Sequence, residues 1–242
     1  MKELQSDKLR FVPFDGKSED HAKVLYLQRV ACGWNEDLIE EWTEAHEAGS
    51  KGIYWLNPWP VVMDESWCSA KILRDDFPNR EKLVQDHFVK FPEEKRPLKD
   101  TSAFVLGSKR LPTNEEFVAI GHIAVERQPR KDQMLNLVTE EVAWITCLYI
   151  SFAMHDHGLG RDAMKWAEKM VAREPFNAKM AYLDTTDGEF QLLPHVLKSN
   201  EDWYIRQGYQ VVHRKAEGYP WITPDGNAVW IPQVFLKKDL TS

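Results

Sequence analysis

From Val142 to Ile150 the chain reads VAWITCLYI, with neither a charge nor a proline, and it then enters a turn that carries Gly158 and Gly160. A continuous apolar run of this length marks a strand buried on both faces. It is too short for the ~20 residues that cross a bilayer. Beyond the turn, Ala163, Trp166, Ala167, Met170 and Val171 recur at helical spacing, which predicts an amphipathic helix over about Leu159 to Arg173. A buried strand feeding a glycine turn and an amphipathic helix restricts the chain to mixed α/β folds.

The flanking segments agree. Leu9 to Phe14 reads as a first strand and Glu19 to Cys32 as a helix, with Ala22, Leu25, Tyr26 and Val30 along one face. A second helix is expected from an Asn35 cap to about Ala48, stopped by Gly49, and Ile53 to Leu56 reads as a strand. Residues 57–100 hold Pro58, Pro60, Pro78, Pro92 and Pro97 among charged and aromatic residues. They read as loops with a short helix near Arg80 to Val89, forming an insertion or lid within a single domain over 1–242. Ala103 to Leu106 and Phe117 to Val125 are expected to form a hairpin turning at Pro112-Thr113-Asn114. Ala181 to Asp184, Tyr209 to His213 and Val234 to Lys237 complete the strands, and Asp202 to Gln207 is a short helix ended by Gly208.

With 43% hydrophobic and 29% charged residues, the 242-residue chain can bury a sizeable core. A formal charge of −7 argues against a nucleic-acid partner, which would need a basic face. Three cysteines without a CxxC spacing suggest reduced thiols rather than a disulfide framework or zinc site. The polar start, MKELQSDKLR, lacks a hydrophobic signal segment, so a cytoplasmic protein without membrane association is expected. Asp184, Asp187 and Glu189 have no metal-ligand spacing, and no metal is expected.

The turn after Ile150 has the makings of an anion site. The first turn of a helix leaves unpaired N–H groups and a partial positive charge, and glycines there let a phosphate approach the backbone. Basic residues are unusual at a helix start, yet His155, His157 and Arg161 surround this one, beside Asp156 and Asp162. The P-loop pattern is absent, and a dinucleotide fingerprint would need glycine where Ala163 stands.

Leu148-Tyr149-Ile150, His155, Gly158 and Gly160 stand in the register of the strand–loop–helix element of the GNAT superfamily, which reads approximately L-Y-V-x-P-x-x-[RQ]-x-x-G-x-[GA]. His155 replaces the family's Arg or Gln, and the proline after the strand is missing. Tyr204 to Tyr209 reproduces the family's later Tyr-x-x-x-Gly-[FY] spacing, with Asn200 placed to cap that helix. The chain thus resembles GNAT acyltransferases over roughly 101–240. It is also similar to fungal members that share Trp203-Tyr204-x-x-x-Gly208-Tyr209 and the closing VFLKKDL.

The resemblance implies an α/β (α+β) fold with a mixed, mostly antiparallel central sheet, flanking helices and a splayed central strand pair. It also implies acetyl-CoA as cosubstrate and acetyl transfer to a primary amine, here a small-molecule acceptor, by a monomer or homodimer. Leu148, Tyr149, Ile150, His155, Asp156, His157, Gly158, Leu159, Gly160 and Arg161 would contact the cofactor, mostly through main chain. Tyr204 would be the general acid. Some relatives carry a Glu base on the central strand, where this chain has none. Glu126, His122, Glu141 and Asp184 remain as candidates, with Glu126 and His122 placed first. Cys147, on an apolar strand, is disfavoured as a nucleophile.

The chain's ten tryptophans suit core packing. Alternatively, Trp55, Trp59, Tyr219, Trp221 and Trp230 would line an aromatic acceptor pocket. The rival reading is a catalytically inactive CoA-binding sensor or interaction module on the same fold.

Overall fold

The computed structural model describes residues 9–58, 86, 88–155, 158–190, 199–222 and 225–241. They form two compact units: Met1–Glu126 with Cys147–Lys169, and Arg127–Thr146 with Met170–Ser242. The segment 59–85, most of the expected insertion with its short helix, lies outside the described residues, as do Trp59, Asp156 and His157.

In the first unit, β1 (Leu9–Pro13) pairs antiparallel with β2 (Lys51–Pro58), and β2 pairs antiparallel with β7 (Gly121–Glu126), with Trp55 opposite His122. The end of β8 (Val142–Ile150) follows β7 in the sheet. Helix α1 (Glu19–Cys32) has the bounds its periodicity predicts. Ser18 caps it by accepting from the His21 amide, and Gly33 ends it at φ 76°. Asn35 does not cap α2 (Ile39–Glu47): it sits at φ 59° before a 3₁₀ turn, Glu36–Leu38, that leads into the helix.

Adjacent strand residues point to opposite faces, so β2 serves two layers. Trp55, fully buried, enters a cluster with Val12, Phe14, Val24, Leu25, Trp42 and Phe117. Its neighbour Tyr54 meets Trp166 of α4 (Leu159–Val171) edge-on at 4.7 Å, and Phe11 stacks on the same indole at 3.9 Å. Burying each large side chain of this kind contributes about 1.5–3 kcal/mol.

The expected hairpin is replaced by tighter pairings. Leu106 (φ 48°) and Gly107 (φ 75°) form a two-residue turn joining β4 (Phe104–Val105) to β5 (Ser108–Lys109). A turn with both central residues left-handed suits the strand twist and captures the pairing locally. The run 117–125 divides, because β6 (Glu116–Val118) pairs with β3 (Pro97–Lys99) and β7 joins the main sheet.

In the second unit, the start of β8 pairs with β9 (Met180–Thr186) in parallel, and β9 pairs antiparallel with β11 (Ala228–Asp239). β11 pairs antiparallel with β10 (Gln210–Ile222), interrupted by irregularities after Val211 and after Lys215. Registered pairing of β8 with β9 covers three positions, from Val142 opposite Met180 to Trp144 opposite Tyr182. The sheet is therefore mixed and mostly antiparallel, as expected. Helix α3 (Pro129–Met134) precedes β8, and the Trp144 indole N–H donates to Asp132 at 2.7 Å. Trp144 is buried with Val142, Tyr182 and Phe235. β10 and β11 far exceed the strands predicted for them, because much of their added length is exposed and carries no buried periodicity. Among the described residues no helix is long and apolar enough to cross a membrane.

A Cβ at Gly121 would lie 2.0 Å from the Tyr149 carbonyl oxygen. Gly121→Ala is therefore expected to destabilise by about 3 kcal/mol through overpacking against backbone. Calorimetry would read this as a fall in Tm of about 6–12 °C.

Candidate active site

The end of β8 is tied down within the first unit. The Ser151 amide donates to the Ile120 carbonyl at 2.6 Å, and a 3₁₀ turn over Phe152–Met154 follows. His155 is exposed, and its Nε2 lies 3.0 Å from the Ile150 carbonyl, so this ring donates back to the strand end and closes the turn. Gly158 adopts φ 74°, which glycine accepts without strain. Helix α4 starts at the next residue, Leu159, and the Asp162 amide donates to the Gly158 carbonyl at 3.1 Å.

Leu159 is buried, Gly160 half-buried and Arg161 exposed. A ligand at this turn would meet the main chain of 158–160 and the Arg161 guanidinium. The Leu159 side chain belongs to the core. A thirteen-residue helix opened by a left-handed glycine suits an anionic group such as a diphosphate.

Strand β8 changes character midway. Val142 to Ile145 are buried, whereas Thr146, Cys147 and Leu148 are half-buried, and Cys147 takes the left-handed φ of 57°. A β-branched or apolar strand has no need of that conformation, and such strain gathers at functional positions. Tyr149 and Ile150 are buried again.

Cys147 also has a neighbour that its apolar sequence context concealed. The Lys51 ammonium, 3% exposed, hydrogen-bonds Cys147 and pairs with Glu126. Burial alone would lower the Lys51 pKa, but Cys147 and Glu126 together raise it, and the ammonium stays charged. The Glu126 carboxylate is thus occupied by a buried counter-ion.

His122 is fully buried. Its Nδ1 donates to Gln28 Oε1 at 2.8 Å, the Gln28 orientation being set by its own Nε2 donating to the Ala119 carbonyl at 2.7 Å. The other ring nitrogen faces the Arg29 guanidinium at 3.5 Å. Burial, then Arg29 and Lys51, hold the His122 pKa well below its ordinary value, so the ring is neutral. Its lone pair is directed at a cation. Both of the residues placed first as bases are therefore engaged structurally.

The second unit holds Tyr204. Its helix, α5 (Asn200–Ile205), is capped by Ser199 rather than Asn200, the Ser199 hydroxyl accepting from the Asp202 amide at 3.1 Å. Tyr204 is half-buried, edge-on to Trp203 at 4.9 Å and to Tyr209 at 5.9 Å.

Asp184 lies on β9, its carboxylate receiving Tyr219 Oη at 2.5 Å, Gln233 Nε2 at 2.6 Å and Lys131 Nζ at 2.6 Å. Burial raises its pKa, but Lys131 and the two neutral donors reverse this and hold the carboxyl below its ordinary value. Burial, then Asp184 and the more distant Tyr204, push the Tyr219 phenol up, so it remains a donor. Glu141, the remaining candidate, is half-buried and pairs with Lys179 at 2.5 Å.

Of the aromatic residues expected around an acceptor, Trp55 is corrected: it is fully buried, and its indole N–H donates to His21 Nδ1 at 3.0 Å. Tyr219 is bound to Asp184. Trp221 and Trp230 stand 36% and 55% exposed on the β10–β11 hairpin and remain accessible. Among the described residues no three His, Cys, Asp or Glu side chains gather as metal ligands would.

The architecture is that of the GNAT-family acetyltransferases. Its likeness is to a protein from Desulfovibrio desulfuricans assigned to that family, at TM-score 0.53 and 10% identity over 96% of this chain and 99% of the other. A GNAT-family protein from Chromobacterium violaceum matches at TM-score 0.52 and 8% identity over 98% and 86% of the two chains. A ribosomal L7/L12 α-N-protein acetyltransferase matches at TM-score 0.50 and 10% identity over 97% and 91%. No protein-family model and no curated protein sequence matches the chain.

Because the Asp184 pKa is depressed in the folded state, its stabilisation is complete above the ordinary value of 3.8 and disappears as pH falls through the lower, folded value. Asp184→Asn is expected to cost about 1.5–3 kcal/mol at pH 7, the range for hydrogen bonds to a charged group. Urea melts from pH 7 to pH 2 should show the gap between variant and wild type closing only below about pH 4.

Proposed function

We propose that the chain is an acyl-CoA-dependent N-acyltransferase that moves the acetyl group of acetyl-CoA to a primary amine. The observation that carries this reading is the β8–turn–α4 element. A buried strand turns half-exposed at Thr146 to Leu148, and it ends in a clasped turn that opens a long helix through a left-handed glycine. This is chemistry suited to a pantetheine diphosphate, and the fold is one on which acetyltransferases are built. Residues 1–242 would act as one catalytic domain.

In this reading the main chain of Leu148 and Ile150 orients the pantetheine arm. The backbone around Gly158 and Gly160, with Arg161 and the loop residues Asp156 and His157, holds the diphosphate. His155 maintains the turn rather than supplying a fixed charge. Acetyl-CoA brings an acetyl group activated as a thioester.

Tyr204 is assigned as general acid. A phenol is neutral at pH 7 and can give its proton to a departing thiolate. With Glu126 and His122 engaged, the amine would lose its proton to another base or to water. A small-molecule amine is the preferred acceptor, with Trp221 and Trp230 offering exposed rings for a flat or apolar body. A cytoplasmic setting goes with this reading.

The structural engagement of Glu126 and His122 also favours a second reading, a CoA-binding module without transfer activity. The two readings part on turnover. Both require heat of binding when coenzyme A or acetyl-CoA is titrated into the protein, but only the first requires release of free thiol with pooled amines. Absence of CoA binding would remove both. Tyr204→Phe is expected to lower kcat about 100-fold or more, the range for a lost general acid, with the CoA dissociation constant unchanged. Unchanged turnover would strip Tyr204 of the role.

A further inference from the structure

Glu94 is 2% exposed, on a 3₁₀ turn (Pro92–Lys95) at the end of the proline-rich segment. A carboxylate is costly to bury unless its oxygens are satisfied. Here each oxygen accepts a hydroxyl: Tyr149 Oη donates to Oε1 at 2.5 Å, and Ser151 Oγ donates to Oε2 at 2.7 Å. Tyr149 lies on β8 and Ser151 is the first residue beyond it, and one carboxylate spans both hydroxyls across the strand end. Burial, and then Glu94 itself, raise the Tyr149 phenol, so it stays a donor to that carboxylate.

The two donors bracket Ile150, where β8 ends and the turn toward Gly158 starts. Around the same point the Ser151 amide reaches Ile120 and His155 reaches Ile150. Glu94 is itself fixed from the other side. Arg96 pairs with Asp20 of α1 at 2.6 Å, and the His21 ring donates to the Lys99 carbonyl at 2.9 Å. A carboxylate whose following residues, Arg96 and Lys99, are tied to α1 thus meets the hydroxyls at the end of the candidate cofactor strand.

We propose that Glu94 is a positioning residue for coenzyme A: through Tyr149 and Ser151 it holds the strand end and the following turn in the shape that receives the diphosphate. Three side chains outside the glycine turn then govern cofactor affinity without touching the cofactor charge. This inference rests on the CoA reading above, and the two fail differently.

The test is calorimetric titration of coenzyme A into wild type, Glu94→Ala, Glu94→Gln and the double variant Tyr149→Phe Ser151→Ala. Glu94→Ala and the double variant should each raise the dissociation constant at least tenfold. Combining them should add little, because both delete the same pair of bonds. Glu94→Gln keeps the shape and one acceptor and should fall between.

In turnover, KM for acetyl-CoA should rise while KM for the amine stays. Asp132→Ala, which removes the buried acceptor of the Trp144 indole N–H in the second unit, serves as the control: it should lower Tm while leaving CoA affinity intact. Wild-type affinity in both Glu94→Ala and the double variant overturns the proposal and spares the function, and if Glu94→Ala does not fold the double variant decides. A wild type that binds no coenzyme A overturns both.

Discussion

A carbon attached at position 121 would stand 2.0 Å from the Tyr149 carbonyl oxygen, and the candidate site depends on that carbon being absent. Because Gly121 lets β7 and the end of β8 approach so closely, the Ser151 amide can reach the Ile120 carbonyl. With the strand end held there, the Tyr149 and Ser151 hydroxyls meet one buried carboxylate, and the turn toward Gly158 departs from a defined point. Interiors are packed too densely for backbone to shift by an ångström without cost. The missing Cβ therefore sets how closely β7 and the end of β8 can approach.

Charge is buried in both units, and in each it is spent on structure. Arg29 and Lys51 both lie over the Trp42 ring, at 5.3 and 5.0 Å, and Lys51 is neutralised by Glu126. Asp184 is surrounded by Lys131, Tyr219 and Gln233. Such pairs add little net stability over apolar packing, but removing one partner leaves an uncompensated charge. They constrain geometry more than they stabilise it. This is why residues whose types suit proton transfer are poor candidates for it here: Glu126 and His122 are already committed to neighbours in the same fold.

Most of the framework was legible in the sequence. Helix α1, strand β8 and helix α4 are long, periodic and bounded by clear stop signals, and their predicted limits agree with the structure within a few residues. The turn at Gly158 was legible because glycine between a buried strand and an amphipathic helix has few other uses. The hairpin at Ala103 to Val125 was misread. Leu106, a residue that rarely takes positive φ, occupies a two-residue turn, and the single apolar run at 117–125 serves two sheets. The β10–β11 hairpin was truncated because exposed strands lack the alternation that burial imposes.

Residue types and their spacing along the chain determined the fold class and the strand–turn–helix element with its left-handed glycine, since local periodicity and backbone freedom are properties of short segments. Only the tertiary structure decided which side chains were available for chemistry. Trp55 is no acceptor contact because the sheet buried it, the candidate base His122 has both ring nitrogens facing Gln28 and Arg29, and the fold carried Glu94 to Tyr149, 55 residues away. Hydrogen bonds and burial between distant segments have no signature in linear order, and at this site they settle what each functional group can do.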